Sequence, residues 1–146
     1  MEQLAWDIGE TSLAIRRAFD RKAAMLGITR AQWRVLAHLD HQPGRKQVEL
    51  ADRMDVEPIT LCRIVDKLEE AGLVERRRDP DDRRAWRLYL CESAAPLLTK
   101  LHALADEFSA DVFGNLDPAA VQQGKDLLAA IRHNLSGLAP RTKASA

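Results

Sequence analysis

A chain of 146 residues, 46% apolar and 30% charged, is long enough to bury one core of ordinary size and too short for a catalytic domain joined to a separate regulatory one. Its hydrophobicity excludes a disordered chain. Lysine and arginine match aspartate and glutamate at 22 each, so any attraction to a polyanion must come from the distribution of charge and not from its sum.

That distribution is uneven. Arg76 to Arg87 carries six arginines against Asp79, Asp81 and Asp82, and Arg16 to Arg30 carries five basic side chains against Asp20. Cys91 to Pro140 carries three basic side chains against six acidic ones. One end of the molecule is therefore expected to be basic. The opening stretch MEQLAWDIGETSL is acidic and polar, the wrong chemistry for a signal peptide, and nowhere do about 18 apolar residues run together. A cytoplasmic location and no membrane partner are expected. Cys62 and Cys91 stand in no CxxC spacing, which gives no support to a disulfide framework or a zinc site.

In chain order, Leu4, Ile8, Ile15, Phe19 and Leu26 recur at steps of four and seven, a narrow apolar seam on a helix that Gly27 ends. A seam that narrow suits a partner helix. Thr29 with Gln32 three residues on forms a capping box, and Trp33, Leu36, Ala37 and Leu39 continue an apolar face until His41 to Gly44 stops it. Gln47 to Met54 reads as a short helix showing Val48, Leu50, Ala51 and Met54. After a turn at Asp55 and Val56, Pro58 suits a first helical position, and Leu61, Ile64, Val65 and Leu68 form the buried stripe of a helix closed by Gly72.

From Leu73 the period becomes two. Trp86, Leu88 and Leu90 face one way and Arg87 and Tyr89 the other, with Leu73 to Arg77 pairing against them across a loop containing Pro80. This predicts a short hairpin with an arginine-rich tip. Ser93 is the expected cap of the next helix, with Pro96 in its first turn and Leu97, Leu101, Leu104, Phe108 and Val112 as its stripe. Asp117 and Pro118 open a last helix carrying Val121, Leu128, Ile131, Leu135 and Leu138. Residues 139–146 read as a loose tail.

Two helices across a tight turn, followed at once by a basic hairpin, predict a winged helix-turn-helix within a mainly α fold. Its second helix fits a major groove about 12 Å wide and reads base edges from its N-terminal half. The outward residues there are Glu57, Pro58, Thr60, Arg63 and Lys67. Arg63 is placed to fork onto guanine, Thr60 to meet a phosphate or a thymine methyl, and Lys67 to meet phosphate. A hairpin tip offers no core and too few carboxylates for six guanidinium groups, so they are expected to face a polyanion or water. Arg83, Arg84 and Arg87 are read as DNA contacts of the wing, with Asp82 holding a guanidinium at a fixed angle and Pro80 and Asp81 shaping the turn.

The segments LGITRAQWRVLAHL, VELADRMDVEPITLCRIVDKLEEAGLVERR and DPDDRRAWRLYL resemble the MarR family of bacterial regulators, and within it the SlyA-like branch. The resemblance runs from about residue 4 to 138, and its most specific piece is the D-x-R of Asp82 and Arg84. It implies a single domain over 1–146, with a winged helix-turn-helix lobe at about 29–90 and a helical dimerisation region at about 1–27 and 93–138. It also implies a homodimer on a pseudo-palindromic double-stranded DNA site, and repression relieved by a small aromatic or phenolic effector. The family's effector pocket would involve Trp33 and His38. Two residues depart from the pattern: Asp55 stands where the family usually has Gly, and Cys91 where it commonly has Thr. Apolar stripes at both ends of the chain support dimerisation independently, because a monomer would leave them bare.

Three other readings are weaker. No G-x-S-x-G, H-E-x-x-H or phosphate loop is present and the four histidines are scattered, so neither an enzyme nor a cofactor is expected. His38 and His41, three apart, lack a third ligand, so no metal is expected either. Oxidation of Cys62 or Cys91 would disturb DNA docking, which makes a redox-sensing regulator the alternative function. A pure protein-interaction module would show no salt-dependent DNA binding.

Overall fold

The computed structural model describes residues 2–138. Its elements in order are α1 (Glu2–Ala24), α2 (Arg30–His41), β1 (Arg45–Lys46), α3 (Gln47–Met54), α4 (Pro58–Glu70), β2 (Val74–Arg78), β3 (Trp86–Leu90), α5 (Ala95–Phe113) and α6 (Pro118–Ser136). The chain forms two compact units, one reaching to Asp106 and one starting at Glu107. The expected tail at 139–146 lies outside the described residues.

In the first unit the core is built where α2, α3, α4 and the sheet converge. Val35, Leu36 and Leu39 of α2, Leu50, Ala51 and Met54 of α3, and Leu61, Val65 and Leu68 of α4 are buried with Val74 and Leu88 of the strands and Leu101 of α5. Each fully buried aliphatic side chain is worth about 1.5–3 kcal/mol against exposure, so this cluster is what holds the helix-turn-helix to its sheet. The sequence placed Ala37 and Val48 on this inner face; Ala37 is exposed and Val35 is buried instead, and Val48 is exposed on α3. A short helix packed on only one side turns neighbouring apolar positions outward, which periodicity alone does not decide.

Local chemistry sets the boundaries. Thr29 Oγ1 accepts from the Gln32 amide at 3.2 Å while Gln32 Oε1 accepts from the Thr29 amide at 3.0 Å, the reciprocal cap expected for α2. Asp117 caps α6 by accepting from the Ala120 amide. Ser93 does not cap α5: its hydroxyl donates to the Gly72 carbonyl, and α5 is entered through a single 3-10 turn at Glu92–Ala94. Between α3 and α4 the chain passes through Asp55 at φ 54°, ψ 48°. This left-handed position is where the family usually has glycine, and Asp tolerates it better than most residues.

The sheet has three strands, not the two read from sequence. β3 lies in the middle, antiparallel to β2 (Val74 opposite Leu90, Arg78 opposite Trp86) and to the two-residue β1 (Arg45 opposite Leu88). A two-residue strand carries no detectable alternation, so it was invisible in the sequence. Gly44 leads into it at φ 77° and donates to the Leu88 carbonyl; a Cβ there would stand 2.8 Å from the Tyr89 hydroxyl oxygen. Only glycine fits without a shift.

Candidate nucleic-acid interface

Leu61, Val65 and Leu68 fix the inward side of α4, and at 100° per residue Ile59, Thr60, Arg63 and Lys67 fall on the opposite side. All four are exposed, as are Glu57 and Pro58. Among the described residues no carboxylate meets the Arg63 or Lys67 side chain. The predicted outward set of this helix is therefore presented together.

The wing sorts its six arginines into three kinds. Arg76 and Arg87 turn inward. Arg76, only 12% exposed, donates to Asp66 at 2.7 Å, Glu69 at 3.1 Å, the Cys62 carbonyl at 3.0 Å and Gln47 Oε1 at 3.0 Å. Arg87 donates to Asp79 at 2.7 Å and to the Gly44 carbonyl at 2.8 Å. Arg77 and Arg78 lie over aromatic rings, each 4.1 Å from the centroid of Tyr89 and Trp86 respectively. Arg77 also pairs with Glu75 and Arg78 donates to the Arg83 carbonyl at 2.6 Å. The side chains of Arg83 and Arg84 alone have no partner among the described residues.

Three expectations are corrected by this geometry. Four of the six guanidinium groups find partners: α4 supplies Asp66 and Glu69 to Arg76, the strand end supplies Asp79 to Arg87, and Arg77 and Arg78 take Glu75, two aromatic rings and the Arg83 carbonyl. Arg87, expected to point at DNA, is drawn inward by Asp79. Among the described residues Asp82 holds no guanidinium; its Oδ1 accepts from the Arg84 backbone amide at 3.0 Å. An Asp side chain reaching the amide two residues on is the usual way such a residue closes a turn.

Asp79 was missed as an organising residue. It is 2% exposed, and its Oδ1 accepts from the amides of Asp81 at 2.8 Å and Asp82 at 3.2 Å while Oδ2 takes Arg87. The backbone amide of Asp81 is the largest of the influences that hold this carboxyl below the usual carboxylate range, followed, against the opposing effect of burial, by Arg87. Lys46 Nζ stands 3.8 Å away. The signal was present: an Asp directly before Pro at a strand end is a turn former. Burial alone would lower the Arg76 pKa, but the hydrogen bond and charge of Asp66, with Glu69, raise it, so it stays a fixed cation. Its one positive charge is shared between two carboxylates that α4 presents beside Lys67 and offsets half of their charge.

The start of α4 and the wing share a cleft of about 240 Å³ lined by Gln47, Val48, Pro58, Asp82, Arg84 and Trp86. Arg84, one of the two free arginines of the wing, therefore borders the same cleft as Pro58 in the first turn of the helix. Elsewhere in this unit Trp33 lines two hollows. One of about 330 Å³ also has Arg34, His38 and His41; the other, about 210 Å³, is bounded by Phe19, Leu98, Leu101 and His102. Trp33 donates to Asp20 at 2.9 Å and meets Phe19 edge to face at 4.8 Å. Burial, with Arg34, Arg45 and Arg53 nearby, pushes the His38 imidazole pKa down. Cys91 is pushed up by burial and by Glu75 and Glu69, whereas Cys62 Sγ lies 3.6 Å from the Arg76 guanidinium. No cluster of three or more potential metal ligands occurs among the described residues.

The MarR family model matches residues 26–85, from the turn before α2 to the end of the wing tip. Solved structures are similar over nearly the whole length. Transcriptional regulator PA3341 is 35% identical and superposes at a TM-score of 0.83, covering 92% of this chain and 98% of its own. The chain belongs to the MarR family. A MarR transcriptional regulator from Methanosarcina mazei Go1 is 25% identical at a TM-score of 0.81, covering 94% and 99% of the two chains. A cysteine-to-serine mutant of MarR from E. coli is 26% identical at 0.76, covering 88% and 95%. The winged helix of this MarR-family chain is the fold expected from its sequence. No helix among its described residues is long and apolar enough to cross a membrane.

Proposed function

We propose that the protein binds double-stranded DNA sequence-specifically and regulates transcription in the cytoplasm, as a homodimer on a pseudo-palindromic operator, without catalytic activity. One observation carries this reading: Arg63, Lys67, Arg83 and Arg84 are exposed and unpaired among the described residues, and the cleft lined by Pro58 and Arg84 joins their two elements. In a chain of zero net charge, four such cations on one groove-sized helix and its wing are a footprint for phosphate and base edges. Arg63, Thr60 and Pro58 are assigned to the major groove, Lys67 to phosphate, and Arg83 and Arg84 to the wing contact. Asp82 orders the wing backbone, and Arg87 supports it from within.

Residues at about 29–90 make the DNA-binding lobe, and those at about 1–27 and 93–138 pair the subunits. In support, Leu4 and Trp6 of α1 are exposed in the first unit, and Leu127, Leu128 and Leu135 of α6, a helix with no buried residue, are exposed in the second. Such surfaces are covered by a partner in stable proteins. Two-fold pairing sets two recognition helices about 34–36 Å apart, one turn of duplex.

The regulator is read as a ligand-responsive repressor of the SlyA-like branch, on the strength of the DPDDRRAWRLYL wing. The hollow between Phe19, Trp33, Leu98 and Leu101 has room for one aromatic ring, since a cavity of about 150 Å³ holds benzene. Redox control through Cys62 or Cys91 is the second reading, supported at Cys62 by the Arg76 guanidinium beside its Sγ.

The deciding experiment is a salt titration of duplex binding. With Arg63 on a base edge and outside the count, Lys67, Arg83 and Arg84 in each subunit of a dimer predict a log-log slope of roughly −5, at about 0.9 per phosphate. Lys67→Ala should weaken all duplexes alike and flatten the slope. A slope near zero excludes DNA as the partner.

A further inference from the structure

We propose that Ile59 and Val48 form an apolar reading surface for thymine methyl groups, so that the operator carries thymine opposite the start of α4. This rests on the DNA-binding reading above and deepens it.

Ile59 is 60% exposed and Val48 61%, so both β-branched side chains are open to an apolar group brought to the start of α4. Neither position is forced outward by lack of an inner alternative, since Leu50, Leu61 and Val65 beside them are fully buried. Ile59 stands four residues before Arg63, so the two share the side of α4 opposite its buried stripe. Val48 lines the cleft with Pro58 and Arg84.

Each apolar side chain thus has a free cation for company: Ile59 has Arg63 one turn on along the same side of α4, and Val48 has Arg84 in the cleft they line. That pairing selects a polyanion over an apolar protein surface. Within a major groove, the apolar group offered by a base pair is the C5 methyl of thymine, and cytosine offers hydrogen at the same place. A methyl buried against Ile59 or Val48 distinguishes T·A from C·G without a hydrogen bond. It complements Arg63, whose fork distinguishes guanine.

The test uses a duplex that the wild-type protein selects from random sequences, compared with the same duplex carrying uracil for thymine. Pairing and every donor and acceptor are unchanged; only the methyl groups are lost. Wild-type affinity is expected to fall about fourfold per contacted methyl, ~0.8 kcal/mol at 1.4 kcal/mol per tenfold. Ile59→Ala and Val48→Ala, both at exposed positions where the fold is not at risk, should bind the thymine duplex more weakly and lose the preference for it. Equal wild-type affinity for the two duplexes overturns the proposal while leaving DNA binding standing. So does full methyl discrimination by the double variant. Self-association that Ile59→Ala abolishes, with DNA affinity unchanged, would reassign the patch to protein contact. Absence of salt-dependent binding to any duplex overturns both this inference and the reading beneath it.

Discussion

Arg76→Ala separates the structural arginines of the wing from those free to meet DNA. The guanidinium donates to two neutral acceptors, Gln47 Oε1 and the Cys62 carbonyl, and to two carboxylates, Asp66 and Glu69. A hydrogen bond to a neutral partner is worth about 0.5–1.5 kcal/mol net. The side chains of Asp66 and Glu69 are 58% and 44% exposed, so solvent takes them back readily and each ion pair is worth about 0.2–1 kcal/mol. Because one group makes all four contacts they do not add fully, and a loss of about 2–3 kcal/mol is expected. Urea unfolding at fixed protein concentration measures it. With an m value of about 2 kcal/mol/M the midpoint should fall by ~1–1.5 M, with m unchanged. Arg76→Lys should fall between, since an ammonium cannot span the four acceptors in the same plane. Operator affinity should drop as well, because Asp66 and Glu69 then stand uncompensated near Lys67, and Asp66→Asn in that background should restore part of it. A destabilisation under about 0.5 kcal/mol would refute the view that Arg76 ties α4 to the sheet.

Three further substitutions test the other assignments. Arg84→Ala should weaken operator binding by about 1–3 kcal/mol in a fluorescence anisotropy titration, with its circular dichroism spectrum and melting midpoint unchanged; unaltered affinity would show that the wing is not inserted. Asp55→Gly should raise stability by up to about 1 kcal/mol in urea, since relief of a left-handed non-glycine residue, about 1–2 kcal/mol and less for Asp, outweighs the added freedom of the unfolded chain. A loss there would mean the Asp55 side chain contributes a contact. For Asp79 the folded pKa lies below the unfolded value of about 3.9, so its stabilisation is complete above that pH and is lost as pH falls through the folded value. Melting midpoints of Asp79→Asn should accordingly depend less on pH than those of the wild type below about pH 4, and parallel curves would rule out Asp79 as the group responsible.

Local chemistry was legible and long-range pairing was not. The capping box of Thr29 and Gln32, Pro58 at the head of α4 and the turn at Asp55 and Val56 all depend on residues within four positions of one another, and each was written in the spacing. The outward set of α4 followed from the stripe Leu61, Val65 and Leu68 by rotation alone. By contrast, Arg76 reaches Gln47, 29 residues back, and Arg87 reaches Gly44, 43 residues back. Those pairings exist only because the unread strand β1 brings its loop beside β3. Once β1 is in place, Arg87 has a carbonyl to donate to and Asp79 has Lys46 near it, and the wing acquires an interior that the sequence did not suggest.

That interior also explains how a chain with no net charge can present a basic face. Counting residues gives six arginines against three aspartates in the wing, but charge acts on a distant phosphate only where no nearer partner has already compensated it. Arg76 is spent on Asp66 and Glu69, Arg87 on Asp79 and Arg77 on Glu75. Arg78, whose contacts are a ring and a carbonyl, remains with Arg83 and Arg84, the last two at the tip on a backbone fixed by Asp79 and Asp82. The compensated arginines are thus what keep the free ones in place: each inward pair stiffens the strands that carry the tip, at no cost in long-range attraction, and removes an acidic group that would have opposed it. Exchanging Arg84 with a neutral residue and adding a new arginine elsewhere on the hairpin would preserve every count in the sequence, yet by this reasoning it would not preserve the interface.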